Sequence, residues 1–229
     1  MLTSDAWAEA RLGYRFRDPG LLDAALTHRS AGKSNYERLE FLGDAVLNFA
    51  VAVQVFRAYP EADEGALSRY RSSLVSGRSL AETAAALGLG DQLRLGSGEL
   101  KTGGFRRSSI LADALEALFG AVYLDGGLEA AQGVIESVFS GRVEGLPQAR
   151  DLKDPKTRLQ ELLQARGLRL PLYAVEAVSG EPHEHWFVAS CEVATLGLRE
   201  HGEGPTRRSA EQAAATRVLE ALANQGMPQ

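Results

Sequence analysis

The sequence predicts two domains of different class: an all-α domain over residues 1–140 and a smaller α+β domain over residues 155–224. In the first domain, apolar residues recur with helical spacing, and no stretch alternates as a half-buried strand would. In the second, one helical stretch, three alternating stretches and a final helix give the order α-β-β-β-α. Residues 141–154 combine glycine, proline and mixed charge without apolar periodicity, which is typical of a linker.

The first domain is predicted to consist of helices separated by turn-forming residues. Residues 96–104 are rich in glycine and predict a flexible loop. The helices of this domain are expected over residues 5–13, 20–28, 36–59, 79–87, 108–124 and 128–139, with a further helical stretch opening at 61–65. In the second domain, helices are expected over residues 156–166 and 207–223, and strands over 172–178, 186–193 and 196–201.

The longest helix carries an acidic stripe. Glu37, Glu40 and Asp44 are spaced i, i+3, i+7, so a helix with about 100° per residue places them on one narrow face. A second, apolar stripe that includes Val46 and Phe49 is expected to face the core. Like charges at helical spacing are mutually destabilising. A divalent cation would reverse that effect, and Mg²⁺ and Ca²⁺ prefer carboxylate oxygens.

A second acidic pair, Asp113 and Glu116, is spaced i, i+3 on another predicted helix. If the two helices face each other, this pair meets Glu40 and Asp44, and a cation held there would activate water and neutralise charge on a phosphodiester. Each acidic motif taken alone favours a solvated helix face instead. A carboxylate-bridged di-iron bundle is a third interpretation, but it needs Glu-x-x-His pairs, and none of the four histidines follows an acid at that spacing.

Two motifs resemble those of a known family. NYERLEFLGDAVL at residues 35–47 resembles the signature sequence of bacterial ribonuclease III, and ADALEALFGAVYLDGG at residues 112–127 resembles its second acidic motif. The resemblance extends over nearly the whole chain and implies a metal-dependent endonuclease for double-stranded RNA. It implies that the catalytic residues are Asp44 and Glu116.

The same resemblance implies a magnesium site, in which Mn²⁺ is expected to substitute. The implied metal ligands are Glu40, Asp44, Asp113 and Glu116. Glu37 and Glu64 match additional acids near the cleavage site of the family.

Members of this family act as homodimers with the signature helix at the subunit interface, which implies interface positions for Phe41 and Gly43. A glycine inside a helix costs up to about 1 kcal/mol relative to alanine, so Gly43 predicts the close approach of another backbone or side chain. Phe41 lies off the apolar stripe that faces the core. Packing within the monomer is the alternative interpretation of Phe41.

The α-β-β-β-α segment resembles a double-stranded-RNA-binding domain, which reads duplex shape across two minor grooves. The resemblance implies contacts from the first helix, the loop after the first strand and the start of the last helix. The residues concerned are Thr157, Gln160, Glu161, Pro182, His183, Arg207 and Arg208. Ordinary solvated residues are the alternative for the arginine pair, and a loop histidine without function is the alternative for His183. Residues 151–229 hold 9 Lys+Arg against 11 Asp+Glu, a net charge of −2, so modest affinity and clear salt sensitivity are expected.

Composition limits the compartment and the binding partners that are expected for this protein. The net charge of −5 argues weakly against a nucleic-acid protein, so RNA binding must depend on local placement of charge. The single cysteine, Cys191, cannot form an internal disulfide, which fits a reducing compartment. The first residues lack the pattern of a secretory signal, and no apolar run approaches the ~18 residues of a membrane span. A cytoplasmic protein without a membrane partner is therefore expected.

The resemblance implies a homodimeric endoribonuclease that leaves 5′-phosphate and 3′-hydroxyl ends with short 3′ overhangs. By the resemblance, its expected role is the processing of ribosomal RNA and of other precursor RNAs, mRNA included. The alternative is a non-catalytic double-stranded-RNA-binding protein with a helical dimerisation domain. Such a protein would have no need to keep all four acids together.

Overall fold

The chain is described by a computed structural model over residues 3–147, 152–180 and 185–225. It forms two compact units, Met1–Ala149 and Arg150–Gln229. Over the described residues the first unit is helical apart from one isolated β-bridge, and the second is α+β, so the predicted fold class is confirmed. The helices of the first unit are α1 (Ser4–Leu12), α2 (Pro19–Ala25), α3 (Glu37–Ala58), α4 (Glu64–Leu74), α5 (Gly77–Ala86), α6 (Ser97–Lys101) and α7 (Ser108–Glu144).

Helices α3 and α7 pack with their backbones in contact because glycines face each other. A Cβ atom on Gly43 would lie 1.8 Å from the carbonyl oxygen of Glu116, and one on Gly120 would lie 2.3 Å from the carbonyl oxygen of Leu39. No side chain fits at either position without moving a helix. The close approach predicted at Gly43 therefore occurs within one chain. Further along, α7 is interrupted at Gly127, whose φ of 82° is not helical.

Helix α3 buries one face and exposes another. Leu47, Val51 and Val55 are buried, whereas Phe49, which the spacing predicted to face the core, is half-exposed. By length and a mean hydropathy of 1.5, α3 would also be long and apolar enough to cross a membrane, a test that core helices of folded domains pass as well. Its packing against α7 accounts for the buried part of this apolar surface.

Two segments are more helical than the sequence predicts. The predicted loop at residues 96–104 contains α6, where Glu99 forms an ion pair with Arg107 at 2.9 Å. Helix α7 continues to Glu144, so the first residues of the predicted linker, 141–154, are helical. Val143 extends the buried face of α7 into this segment. A single apolar residue between Arg142 and Glu144 is too little for periodicity to detect.

The second unit is a three-stranded antiparallel sheet in the order β1-β2-β3, packed against two helices. Its elements are α8 (Pro155–Ala165), β1 (Leu172–Ser179), β2 (Trp186–Val193), β3 (Leu198–Gly204) and α9 (Arg207–Asn224). Fully buried core residues come from α8, β2 and α9, and they include Leu159, Cys191 and Val218. The predicted order of elements is therefore correct.

The third strand begins and ends later than predicted. It starts after Gly197, which closes a 3₁₀ turn with a φ of 62°. It continues through Gly202 and Gly204, which the sequence suggested as a break. A Cβ atom on Gly202 would lie 2.1 Å from the backbone nitrogen of Ala214. These glycines therefore form the surface on which α9 crosses the strand.

Candidate active site and nucleic-acid interface

Acidic side chains from α3 and α7 converge beside the contact at Gly43. Carboxylate oxygens of Glu40, Asp113 and Glu116 all lie within 4.8 Å of one another. Glu40 comes from α3, and the other two come from one turn of α7, where residues three apart share a face. All three side chains are partly exposed, so an ion can reach them. The two acidic faces predicted from the sequence thus meet.

These carboxylates shift one another's pKa. Burial, followed by the charges of Asp44, Asp113 and Glu40, raises the pKa of Glu116 to about 7. Burial and the charge of Asp113 also raise the pKa of Glu40, and burial raises the pKa of Asp113. Partly buried carboxylate oxygens that repel one another form a donor set that a hard divalent cation prefers. The residues therefore fit a hard divalent cation such as Mg²⁺.

Asp44 stands beside this cluster rather than within it. It is exposed on α3, and its Oδ1 accepts a hydrogen bond from Nδ2 of Asn48 at 2.9 Å. Its charge is nevertheless the largest contribution after burial to the raised pKa of Glu116. The structure thus brings three of the four predicted ligands within 4.8 Å of one another and leaves the fourth alongside. Asn48, one helical turn after Asp44, had no role in the sequence interpretation.

Two buried side chains near the cluster were also missed. His28 and Tyr36 are buried, with ring centroids 5.6 Å apart. Nδ1 of His28 accepts the backbone N–H of Ser30 at 3.1 Å and lies 2.7 Å from its hydroxyl. The charge of Asp113 contributes to a raised pKa of Tyr36, although burial is the larger cause. The sequence predicted a helix that ends at residue 28, and no local pattern signals that His28 is buried near the acids.

The two additional acids do not join the cluster within one chain. Glu37 is exposed and pairs with Arg29 at 3.5 Å, and its charge contributes to the raised pKa of Glu40. Glu64 instead lines a groove with Phe56, near the other end of α3. Sixteen residues separate Glu40 from Phe56, which is about 24 Å along a helix. A single chain therefore leaves Glu64 far from the other acids.

Helix α3 exposes large apolar side chains near both of its ends and in its middle. Its exposed large apolar side chains are Phe41 at 83%, Phe49 at 50% and Phe56 at 68%. These three residues fall within about 80° of one another around the helix. A groove of about 530 Å³ lies beside Phe56, and one of about 960 Å³ lies beside Phe41. Gly43, by contrast, is buried against α7.

The predicted RNA-contacting residues of α8 share its exposed side. Thr157, Gln160 and Glu161 are all exposed. Glu161 accepts a hydrogen bond from the Lys153 side chain at 2.6 Å. The other predicted loop contacts, Pro182 and His183, lie outside the described residues.

The predicted arginine pair forms the start of α9, and both side chains meet carboxylates. Nε of Arg207 donates to Glu211 at 2.8 Å, and Nη2 of Arg208 donates to Asp154 at 3.2 Å. Both arginines remain largely exposed. The N-terminal turn of α9 therefore carries two arginine side chains that each contact a carboxylate and remain exposed to solvent.

Comparisons with known proteins agree with this architecture. The family model described as Ribonuclease-III-like matches residues 18–142, and that of the double-stranded RNA binding motif matches residues 155–222. Ribonuclease 3 of Pseudomonas fluorescens is 54% identical over 222 residues, which cover 97% of each chain. Ribonuclease 3 of Nitrosococcus oceani is 56% identical, with 93% of this chain and 92% of the relative covered.

A solved structure is similar as well. The crystal structure of the nuclease domain of ribonuclease III from Campylobacter jejuni is 42% identical, with a TM-score of 0.58, and covers 62% of this chain and 97% of its own. A helical domain with a carboxylate cluster, joined to a double-stranded RNA binding motif, defines a two-domain ribonuclease. The chain belongs to the ribonuclease III family. The predicted enzyme class, a ribonuclease III-type endoribonuclease, is confirmed.

Proposed function

We propose that this chain hydrolyses double-stranded RNA with Mg²⁺, leaving 5′-phosphate and 3′-hydroxyl ends with short 3′ overhangs. The observation that carries the proposal is the convergence of Glu40, Asp113 and Glu116 from two packed helices. Carboxylates at this separation repel one another, and a bound divalent cation offsets that repulsion. The double-stranded RNA binding motif supports the choice of substrate.

Within this proposal, each acid has a role set by its position. Glu40, Asp113 and Glu116 would hold the metal, because their oxygens lie within 4.8 Å of one another. Asp44, which accepts a hydrogen bond from Asn48, would complete the ligand set and would act with Glu116 as a catalytic residue by orienting water. When bound, Mg²⁺ supplies charge neutralisation at the phosphodiester and a lowered pKa for water. Mn²⁺ is expected to substitute, since it also takes oxygen ligands.

The exposed stripe of α3 supports a homodimer. Three phenylalanines on one exposed helix face are unusual for a monomer, because a contiguous apolar patch is normally removed from water by a partner that covers it. In a two-fold symmetric pair the same patch meets itself. If the α3 helices pair antiparallel, Phe41 enters the groove beside Phe56 of the partner subunit. A solved ribonuclease III nuclease domain of Campylobacter jejuni, 45% identical with a TM-score of 0.56, shows structural flexibility in a region involved in dimer formation.

An antiparallel dimer would also bring the two additional acids, Glu37 and Glu64, to the active sites. Glu64 lines the groove beside Phe56, and Glu37 lines the groove beside Phe41. Antiparallel pairing would bring Glu64 of the partner subunit next to Glu37 of the first. Each active site would then combine acids from both chains, and two such sites would cut opposite strands. The predicted interface role of Gly43 stays a prediction, since contact with α7 already accounts for its lack of a side chain.

Cleavage of a long RNA duplex tests the proposal. The full chain is mixed with duplex RNA in Mg²⁺ or in EDTA, and the ends are examined by ligation, which requires 5′-phosphates. We expect metal-dependent cutting to short duplexes. Glu116→Gln should lower the cleavage rate by at least about a hundredfold while RNA binding persists. Glu129→Gln, an exposed position on the same helix, removes an equal charge and should cut normally.

Two results would reverse the assignment. Full cleavage by Glu116→Gln would show that the cluster is not the active site. Tight binding of duplex RNA without cutting, in any divalent metal, would favour the non-catalytic RNA-binding alternative. The expected cellular role is the maturation of ribosomal and other precursor RNAs in the cytoplasm, and it rests on the resemblance. Removal of the gene tests this role, because uncut precursors should then accumulate.

A further inference from the structure

Asp154 links the two helices that are expected to face RNA. As the N-cap of α8, its Oδ1 accepts the backbone N–H of Lys156 at 2.9 Å. Its Oδ2 accepts from Nε2 of Gln212 at 2.6 Å and from Nη2 of Arg208 at 3.2 Å, both on α9. These hydrogen bonds lower the pKa of Asp154, although burial acts in the opposite direction. One carboxylate thus ties the start of α8 to the first turns of α9.

Glu211 makes a second link between the same helices. Its side chain is only 8% exposed, which is rare for a glutamate unless it is paired. Oε1 accepts from Nε of Arg207 at 2.8 Å, and Oε2 accepts from Nζ of Lys156 at 2.5 Å. Burial acts to raise the pKa of Glu211, but its two cationic partners lower it overall. The glutamate is therefore a buried, ionised anchor for one cation of each helix.

The anchored cations keep an open side. Arg207 uses Nε for Glu211, and its side chain is still 68% exposed. Among the described residues, the side chain of Arg207 has no other hydrogen-bond partner. Arg208 is likewise mostly exposed although it contacts Asp154. A phosphate can therefore approach the outer nitrogens of both guanidinium groups while the carboxylates hold them from behind.

We propose that Glu211 and Asp154 are positioning residues for duplex RNA. They hold Arg207 and Arg208 in extended, RNA-facing conformations and fix the spacing between α8 and α9. A domain that reads duplex shape depends on that spacing, because its contacts span two minor grooves and the phosphates between them. Holding an arginine side chain in advance also removes part of the entropy lost on binding. The inference rests on the proposed binding of double-stranded RNA.

A simpler electrostatic argument predicts a change of the opposite sign in RNA affinity when these two carboxylates are removed. Glu211 and Asp154 are negative charges next to an RNA-binding surface, in a segment with a net charge of −2. If they only neutralised the cations, their removal would strengthen binding to a polyanion. If they position the cations, their removal weakens binding even though the net charge becomes more favourable. The sign of the change in affinity therefore separates the two views.

The experiment measures duplex RNA binding by the full chain in EDTA, over a series of salt concentrations, with RNA integrity checked afterwards. We expect Glu211→Gln to bind about tenfold more weakly, because one charge-assisted phosphate contact is lost. The slope of log K against log salt should fall by about 1. Glu220→Gln, an exposed change of equal charge on α9, should bind at least as tightly as the unchanged protein. Glu211→Gln binding as tightly as Glu220→Gln would overturn the inference.

A second variant covers the case in which Glu211→Gln folds poorly. Arg207→Lys keeps the charge at the surface but loses the planar group that contacts Glu211 through Nε. It should weaken binding to a similar extent without a change in the urea unfolding midpoint. In a double variant that combines Glu211→Gln with Arg207→Lys, the two losses of RNA affinity should not add, because both substitutions remove the same contact. Unchanged affinity in Arg207→Lys, or full additivity, would contradict the positioning role. Absence of RNA binding by the unchanged chain would overturn the proposed function itself.

Discussion

The carbonyl oxygen of Glu116 lies directly against Gly43, at a place where any Cβ atom would come within 1.8 Å of it. This contact holds the two acidic helices together at the candidate metal site, because Glu40 is on the first helix and Glu116 on the second. Gly43→Ala should therefore separate the helices and destabilise the fold by about 1–3 kcal/mol, the usual range for overpacking. Urea unfolding measures the loss, and Mg²⁺ binding should weaken with it.

Gly133 provides the matched control for this substitution. It is an exposed glycine in α7, and a Cβ atom there would meet nothing within 4 Å. Gly133→Ala should be neutral or stabilise the protein by up to about 1 kcal/mol, because alanine is the better helix former. If Gly43→Ala were as stable as Gly133→Ala, the backbone contact could not be what sets the distance between the acids.

Local patterns in the sequence predicted this site only in part. Helical spacing was enough to place Glu40 on one acidic face and Glu116 on another, and a glycine in mid-helix indicated a close contact. The neighbour that lies against Gly43 comes from a residue more than seventy positions away, and no local period encodes it. For the same reason, the burial of His28 near the acids and the distance of Glu64 from them were visible only in the folded chain.

The raised pKa of Glu116 predicts a pH dependence for the metal-free protein. Its folded pKa is about 7 against an ordinary value of 4.5, so the folded state binds an extra proton between these values. The stability contributed by this group is complete below about pH 4.5 and is lost as the pH rises through about 7. In EDTA, the melting temperature should therefore fall over this range more steeply in the unchanged protein than in Glu116→Gln.

The affinity for Mg²⁺ should rise over the pH range in which the stability of the metal-free protein falls. Mg²⁺ requires the ionised carboxylate, so a proton must leave Glu116 before it can become a ligand. Affinity for Mg²⁺, measured by calorimetry, should rise as the pH increases toward about 7 and level off above it. An affinity that does not change between about pH 6 and about pH 8 would show that Glu116 does not take part in binding.

The exposed phenylalanines predict how the chain assembles. Phe41→Ser removes the most exposed large side chain on α3, and in a symmetric pair the loss occurs twice. Sedimentation should then show monomers at concentrations at which the unchanged chain is expected to form a dimer. Leu100→Ser is the control, since Leu100 is also half-exposed but lies on α6, away from the α3 stripe. Dissociation by the control variant, or a Phe41→Ser dimer of unchanged affinity, would place the interface elsewhere.

Asp125 predicts a contribution to stability that is independent of the active site. One carboxylate on α7 accepts the hydroxyl of Tyr14 at 2.7 Å and the backbone N–H groups of Arg17 and Asp18, each at 2.9 Å. It thus fixes the segment between α1 and α2 to the helix that carries Asp113 and Glu116. The hydrogen bonds lower its pKa although burial acts to raise it.

Asp125→Ala leaves these three donors without their acceptor, and it should destabilise the fold by about 1–3 kcal/mol in urea unfolding at neutral pH. Glu129→Ala, exposed one turn further along α7, should change the free energy of unfolding by much less. Because the folded pKa of Asp125 is depressed, its contribution is complete above about 3.8 and is lost as the pH falls through the folded value. The difference in the free energy of unfolding between Asp125→Ala and the unchanged protein should therefore shrink in acid. If this difference stayed constant down to the acid transition, the ionised carboxylate would not be what holds the segment between α1 and α2.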